Sequence, residues 1–173
     1  DKLNIKYWLE GGTLLGAVRD QKLIPWDHDL DIGINFSSNQ DIKKLIKTLK
    51  KRFYVRPLRF PSDPKIWNLG DYRVIKIYLK ESFFSRSSLC LDIFLYYKGN
   101  VEGKGEMYRY VVWGNNAGHP PKHFDNLEKI KFYNSIYKIP SYPEELLQNK
   151  YGSDWKTPKK NWNVAIDDGS IIR

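Results

Sequence analysis

Three aspartates at alternate positions lead into an apolar segment of this chain. Asp27, Asp29 and Asp31 come directly before or within the run that continues through residues 32–36. If this run is a β-strand, the three carboxylates share one face, with neighbouring Cα atoms roughly 6.5–7 Å apart. Carboxylates this close repel one another unless a cation binds between them, and hard divalent cations prefer oxygen ligands. The spacing therefore predicts a site for Mg²⁺ or Mn²⁺ beside a phosphate.

The same spacing excludes a calcium-binding loop of the EF-hand kind. Such a loop needs glycine at its sixth position and glutamate at its twelfth. Counted from Asp27, those positions hold Ile32 and Ser38. A solvated acidic turn is an alternative, but Ile32 and Ile34 place the run at the edge of the core. Acidic groups there are usually metal-bound or catalytic, so we favour the metal site.

A fourth aspartate interrupts another apolar run. Asp92 lies within the predicted strand 89–97. A buried carboxylate without a partner is costly, so Asp92 needs a cation or a hydrogen-bond donor. We expect it to complete the metal site from a neighbouring strand. The alternative is an ion pair with Arg73 or Lys76, which lie on the preceding predicted strand.

The segment Gly11-Gly12-Thr13 lies between a predicted strand and a predicted helix. Glycine lets the backbone approach a ligand closely, and a helix N-terminus presents unpaired N–H groups that attract phosphate. A tight turn capped by Thr13 is an equally simple interpretation. Short glycine motifs match by chance often enough that this one, taken alone, leaves both open.

The single cysteine and the histidines carry less chemistry. Cys90 has no second cysteine to pair with in these 173 residues and is expected to be a buried structural thiol. His119 and His123 flank two prolines, which prevent a helix that would align both imidazoles, so a zinc pair is not expected. In a regular strand His28 points away from the aspartate face.

The elements that must position these residues alternate between strand and helix patterns. Residues 42, 45, 46 and 49 fall at helical spacing after Ser37-Ser38. A capping box at 141–144 begins another helix, which Gly152 ends. We predict a short helix at 13–18, strands at 5–9, 30–36, 55–60, 72–79 and 89–97, and a hairpin of 130–133 and 136–139 around Asn134-Ser135. We predict loops or turns at 61–64, 98–105 and 113–121. This order predicts an α+β fold with a mixed sheet.

Several of these segments together resemble the LicD family of phosphotransferases, within the nucleotidyltransferase superfamily. The likeness is carried by residues 8–19 (WLEGGTLLGAVR), 24–31 (IPWDHDLD) and 91–94 (LDIF), and extends to 121–124 (PKHF) and 139–152. It covers most of residues 5–158. It implies a nucleotidyltransferase-like mixed β-sheet flanked by helices, with a catalytic domain over 1–158. The tail over 159–173 is polar and is expected to be loosely held.

The resemblance also implies an activity. The expected reaction moves phosphocholine, phosphoethanolamine or ribitol phosphate from a CDP-linked donor to a hydroxyl of a glycan or glycoconjugate, releasing CMP. Asp29 and Asp31 would hold Mg²⁺ or Mn²⁺, with Asp27 as a further ligand or its support. Asp92 would share the metal or act as a base. Donor contacts are implied for Gly11, Gly12, Thr13, Arg19, Arg73 and His123, although His123 has the alternative of a loop histidine bonded to the backbone.

Other functions stay open at this point. One is a nucleotidyltransferase that transfers NMP to a nucleic acid or a small acceptor, and another is an inactive nucleotide- or glycan-binding module. The net charge of +9 comes largely from scattered lysines, which are typical of a solvated surface, so no nucleic-acid partner is expected. No apolar run is long enough to span a bilayer. We expect a cytoplasmic domain cut from a longer protein, membrane-associated through parts outside this chain, or a Golgi-lumenal one if the precursor is eukaryotic.

Overall fold

A computed structural model describes residues 5–60, 70–80 and 86–172 of the chain. The helices in these ranges are α1 (Gly11–Arg19), α2 (Asn39–Leu49), α3 (Pro143–Tyr151) and α4 (Val164–Asp167), with a 3₁₀ turn at Pro121–His123. The strands are β1 (Tyr7–Leu9), β2 (Asp29–Asn35), β3 (Phe53–Arg59), β4 (Tyr72–Lys80), β5 (Arg86–Val101), β6 (Gly105–Val112), β7 (Asn115–His119), β8 (Leu127–Phe132) and β9 (Ser135–Pro140).

The main sheet has the strand order β1-β2-β5-β4-β3. Strands β2 and β5 are parallel, whereas β1, β3 and β4 pair with their neighbours antiparallel. The long strand β5 continues past this sheet to pair with β6, and β6 pairs with β7. Strands β8 and β9 form a separate hairpin. The expectation of an α+β fold with a mixed sheet flanked by helices is confirmed.

Each face of the sheet is covered by its own apolar cluster. On one face α2 places Ile42 and Ile46 against sheet residues that include Ile75 and Leu95. The helix begins where it was expected, because the Ser38 side chain accepts the Asp41 N–H as an N-cap. The other cluster joins α1, α3 and the strand residue Trp8 to Tyr96 and Phe124, among others. Asp92 lies on the same face of β5 as Tyr96, because alternate residues of a strand share a face, and Asp31 of β2 lies opposite Asp92 in the register.

Four of the local predictions are wrong or too broad. The turn predicted at 98–105 covers only residues 102–104, because β5 extends to Val101 and β6 begins at Gly105. The loop predicted at 113–121 contains strand β7, whose sequence NNAGH has little intrinsic strand preference and is held by pairing with β6. The β8–β9 turn lies one residue earlier than expected, since Tyr133 adopts a positive φ of 50° and Ser135 already pairs with Phe132. Helix α3 has no capping box: Tyr142 precedes it in the left-handed region, and the Ser141 hydroxyl donates to the Asn126 carbonyl. The loop predicted at 61–64 lies outside the described residues.

Residues 168–171, within the tail that is expected to be loosely held, pack against the rest of the chain. Asp168 and Ser170 are buried, and the Ser170 carbonyl accepts the N–H of Gly118 at 2.9 Å. Ile171 forms a β-bridge with Ala117 on β7. The sequence concealed these contacts because they join residues about fifty positions apart. The division of the chain at residue 158 stays a prediction. In the described ranges no helix has the length and hydropathy to cross a membrane.

Candidate functional site

Parallel pairing of β2 and β5 brings the predicted carboxylates together. Asp31 lies opposite Asp92 in the register of the two strands, and Asp29 lies opposite Cys90. One carboxylate oxygen from each of Asp29, Asp31 and Asp92 can be chosen so that all three lie within 4.8 Å of one another. Three oxygen donors at this separation can hold a single hard cation.

The glycine pair lets these carboxylates approach the start of helix α1. Gly11 has a φ of +54°, and a Cβ built on it would lie 2.4 Å from Oδ2 of Asp31. A Cβ on Gly12 would lie 2.0 Å from Oδ2 of Asp27. The Gly12 N–H donates to Oδ2 of Asp31 at 3.2 Å. Any side chain at either position would therefore displace a carboxylate.

Thr13 has a different place from the one predicted. Its buried hydroxyl accepts the backbone N–H of Asp31 at 2.8 Å, which ties helix α1 to strand β2. Thr13 is not among the described residues that line the cavity of this site. Its contact with a donor phosphate stays a prediction, and its observed contact positions Asp31.

The carboxylates lie close enough to change one another's ionisation. Burial and the negative charges of Asp29, Asp27, Asp92 and Glu10 raise the pKa of Asp31 well above its usual value. Loss of hydration, followed by the charge of Asp29, raises the pKa of Asp27 to about 6. Such a cluster binds protons or cations to relieve its repulsion, so its chemistry fits a divalent metal.

Asp92 combines both of the alternatives considered for it. It belongs to the carboxylate cluster, and its Oδ2 also accepts the Lys76 ammonium at 2.5 Å. Oδ1 accepts the Sγ–H of Cys90 at 3.0 Å, and Cys90 is buried as predicted. Lys76 rather than Arg73 is therefore the cation that pairs with Asp92.

A cavity of about 680 Å³ opens over the cluster. This is within the range of roughly 300–1,000 Å³ typical of small-molecule sites. Its lining combines the carboxylates with cationic and aromatic side chains. The cations are Arg19, Arg73, Lys76, Lys150, Lys159 and Lys160, and the tryptophans are Trp26, Trp113, Trp155 and Trp162.

The structure brings most of the predicted site residues to this cavity. Its lining includes Asp27, Asp29, Asp31, Asp92, Gly11, Gly12, Arg19 and Arg73. Asp27 precedes β2 rather than lying in it, and its Oδ1 accepts the N–H of His28. The Arg19 guanidinium is already bonded to Asp20, at 2.7 Å from Nη2 to Oδ2.

His123 is not among the described residues that line the cavity. It is buried in the 3₁₀ turn, and its Nδ1 lies 2.7 Å from the Ser141 carbonyl oxygen. This matches the alternative of a histidine with a backbone partner. A role for His123 in binding the donor gains no support from this position.

Two buried polar residues of the cavity wall, Lys150 and Glu10, have no role predicted from the sequence. The ammonium of Lys150 donates to the Tyr110 hydroxyl at 2.6 Å and to Oδ2 of Asp168 at 3.0 Å. Glu10 is 1% exposed, and its Oε2 accepts the indole N–H of Trp8 at 3.1 Å. The position of Glu10, between an apolar strand and the glycine pair, could have indicated from the sequence that it belongs to the site. Nothing local in the sequence pairs Lys150 with Asp168.

The sequence matches one protein-family model and is similar to several known proteins. The family model described as "LicD/FKTN/FKRP, nucleotidyltransferase domain" matches residues 4–142. An uncharacterized protein of Rickettsia prowazekii is 33% identical over 156 residues, which cover 87% of this chain and 48% of that protein. The human protein named ribitol-5-phosphate transferase FKTN is 27% identical over 171 residues, covering 94% of this chain and 32% of that protein.

A shorter match involves a bacterial enzyme. The lipopolysaccharide cholinephosphotransferase LicD of Haemophilus influenzae is 50% identical over 32 residues, which are 18% of this chain and 12% of that protein. The chain thus spans less than half the length of each of these three relatives.

Proposed function

The chain belongs to the LicD/FKTN/FKRP nucleotidyltransferase-domain family, and from that premise we propose that it is the catalytic domain of a CDP-donor-dependent phosphotransferase. The reaction moves a phospho-group from a CDP-linked donor to a hydroxyl of a glycan or glycoconjugate and releases CMP. The names of two relatives support ribitol phosphate and phosphocholine as candidate groups. Phosphoethanolamine is a third candidate, carried over from the family resemblance alone.

One observation carries the proposal: oxygens of Asp29, Asp31 and Asp92 converge within 4.8 Å of one another on the wall of the cavity. An all-carboxylate donor set suits a hard cation such as Mg²⁺ or Mn²⁺. When bound, such a cation supplies charge neutralisation for the diphosphate and the departing CMP. Asp27 lies beside Asp29 and acts as a further ligand or as its support.

The remaining cavity residues would bind and orient the donor. Gly11 and Gly12 at the start of α1 line the cavity, and the N-terminal end of a helix favours a phosphate group nearby, although the Gly12 N–H itself donates to Asp31. Arg73 lines the cavity, and no ion pair to a carboxylate holds it among the described residues, so we assign its guanidinium to the donor phosphates. Arg19 lines the same cavity, but its guanidinium is already hydrogen-bonded to Asp20.

We assign Asp92 to the metal rather than to the acceptor hydroxyl. Both of its oxygens already accept hydrogen bonds, one from Lys76 and one from Cys90. Asp92 also offers an oxygen within 4.8 Å of the Asp29 and Asp31 oxygens, so it can share one cation with them. A general base would instead need an oxygen free to accept the acceptor proton.

Calorimetric titration with CDP, CMP, UDP, ADP and GDP, with and without Mn²⁺, tests the proposal. We expect metal-dependent preference for cytidine nucleotides, together with CMP release from a CDP-linked donor. Asp29→Asn and Asp31→Asn should lower turnover by roughly a hundredfold or more, since each removes a charged ligand from the cation. Asp125→Asn, an exposed carboxylate outside the cavity lining, is the control. Near-normal turnover in both cluster variants would overturn the metal assignment.

A second candidate is a nucleotidyltransferase that transfers NMP to another molecule. The family description itself includes a nucleotidyltransferase domain, and the net charge of +9 suits a polyanionic partner. The products distinguish the two reactions, because this one consumes a nucleoside triphosphate and releases pyrophosphate instead of CMP. Cytidine binding without turnover of either kind would instead indicate a binding module.

A further inference from the structure

We propose that Trp113 is a stacking platform for a sugar ring of the acceptor, an inference that rests on the proposed transfer to a glycan. Trp113 lies at the tip of the β6–β7 hairpin and lines the same cavity as the carboxylate cluster. It is 83% exposed. A tryptophan this exposed contributes little to the core, so its position calls for another explanation.

The backbone of the hairpin tip is unfavourable for a tryptophan. Trp113 has a φ of +49° and Gly114 a φ of +81°. Two-residue hairpin turns with positive φ at both positions strongly prefer Asn-Gly, Asp-Gly or Gly-Gly. A bulky residue in the left-handed region is strained, and such strain concentrates at ligand sites. Neither the turn nor the core benefits from tryptophan here.

The other tryptophans of the cavity already have partners within the chain. The Trp162 ring lies 4.7 Å from the Tyr151 ring, measured between centroids. The ammonium of Lys160 lies 5.3 Å from the centroid of Trp26, and that of Lys156 lies 5.1 Å from the centroid of Trp155. No ring or cation among the described residues packs on Trp113, so its indole face is available to a ligand.

The cavity wall next to Trp113 suits an uncharged ligand. Val111 and Val112 precede it on β6, and Val111 packs against Phe60 just beyond the end of β3. Leu58 and Val74, paired in register on β3 and β4, continue this apolar surface. The donor phosphates belong with the cation and the carboxylate cluster. A neutral sugar fits the aromatic and aliphatic side, where its C–H groups can stack on the electron-rich indole face.

A nucleobase could also stack on an exposed indole, so the experiment must separate the two ligands. We would record saturation-transfer NMR with a panel of neutral methyl glycosides and disaccharides, using the protein without donor. The same preparations would be titrated with CMP and Mn²⁺. Trp113→Gly removes the ring but keeps a residue suited to positive φ, and Trp113→Phe keeps an aromatic face.

Tyr133→Ala is the matched control. Tyr133 is also an exposed aromatic residue at a hairpin turn, with a φ of 50°, but is not among the described residues that line the cavity. We expect Trp113→Gly to weaken glycoside binding about tenfold and leave CMP binding unchanged. Trp113→Phe should retain most of the glycoside binding, and Tyr133→Ala should retain all of it.

Several results would overturn the inference. One is equal glycoside binding by Trp113→Gly and the unaltered protein, and another is a loss of CMP binding in Trp113→Gly. A third is the absence of any saturation-transfer signal from the glycosides with the unaltered protein. Failure of the proposed function looks different. The unaltered protein would then bind no cytidine nucleotide, yet glycoside binding would still depend on Trp113.

Discussion

The Lys76 ammonium lies 2.5 Å from Oδ2 of Asp92, a carboxylate of the proposed metal site. Asp92 lies opposite Lys76 on β4 and opposite Asp31 on β2, so the three residues form one row across the sheet. Burial alone would lower the Lys76 pKa, but the hydrogen bond and charge of Asp92 outweigh it and raise the pKa above its usual value. The positive charge of the Lys76 ammonium therefore offsets part of the negative charge of the carboxylate cluster.

We predict that Lys76→Met tightens Mn²⁺ binding. The substitution keeps most of the side-chain volume but removes a positive charge that competes for Asp92. A gain of roughly fivefold is expected for one partly screened charge at this distance. Calorimetric titration with Mn²⁺ measures it. Lys80→Met is the control, because Lys80 lies on the same strand but its ammonium donates to the Lys50 carbonyl. Equal or weaker Mn²⁺ binding by Lys76→Met would show that the Lys76 ammonium does not compete with Mn²⁺ for Asp92.

Metal affinity should rise with pH between about 5 and 7.5. The pKa of Asp27 is raised to about 6, and that of Asp31 is raised well above its usual value. Protons must leave these carboxylates before a cation binds, so binding weakens as the pH falls through this range. Mn²⁺ titrations at both pH values provide the measurement, and a pH-independent affinity would contradict the prediction.

The raised pKa values of Asp27 and Asp31 also determine whether the metal-free protein gains or loses stability as the pH rises. Acids with a raised pKa in the folded state hold more protons there than in the unfolded chain, where an aspartate titrates near 3.9. Their contribution to stability is therefore lost as the pH rises from about 4 through 6. We expect Mn²⁺ to raise the melting temperature more at pH 7.5 than at pH 5. Asp31→Asn should reduce that difference, because it removes one of the repelling charges.

Gly11→Ala should disrupt the metal site while leaving the core intact. The new Cβ would meet Oδ2 of Asp31, and the backbone at Gly11 has a positive φ. Gly103 also has a positive φ, of +71°, but a Cβ there would meet nothing within 4 Å. Both substitutions should destabilise the protein by about 1 kcal/mol through backbone strain. Gly11→Ala alone should also weaken Mn²⁺ binding, roughly tenfold or more, because it displaces a ligand. Equal Mn²⁺ affinities in the two variants would refute this account.

The carboxylate cluster could be predicted from the sequence because its signals are local. Alternation places Asp29 and Asp31 on one face of a strand, and an isolated Asp92 in an apolar strand needs a cation or a hydrogen-bond donor. The parallel pairing of β2 and β5 then brings Asp92 close to Asp29 and Asp31. Lys76 was identified as one of two partners for Asp92, but sequence reasoning could not foresee that the ion pair and the cluster would occur together.

The missing features depend on long-range contacts. Strand β7 exists because β6 pairs with it, and Trp113 was hidden in a segment taken for a loop. Thr13 and His123 were correctly located in their motifs, but their polar atoms bind backbone groups rather than facing the cavity. A motif identifies which residues lie near a site, whereas hydrogen-bond partners decide which of them reach it.

The buried pair of Lys150 and Asp168 makes the C-terminal segment part of the cavity wall. Both residues line the cavity, and their side chains are 6% and 0% exposed. Lys150→Met would leave the Asp168 carboxylate buried with only the Ser170 N–H and hydroxyl as donors. Removing one partner of a buried pair typically costs about 3–5 kcal/mol, so we expect a loss of that size in urea unfolding.

Lys156→Met is the matched control for this substitution. Lys156 pairs with Glu144 at 3.1 Å, nearly the same distance as in the buried pair, but both side chains are about two-thirds exposed. Solvent screens such a pair, so its removal should change the free energy of unfolding little. Amide exchange over 164–172 should accelerate in Lys150→Met and stay unchanged in Lys156→Met. Equal stabilities in the two variants would mean that the segment contributes little to the fold, and its place in the cavity wall would then lose its support.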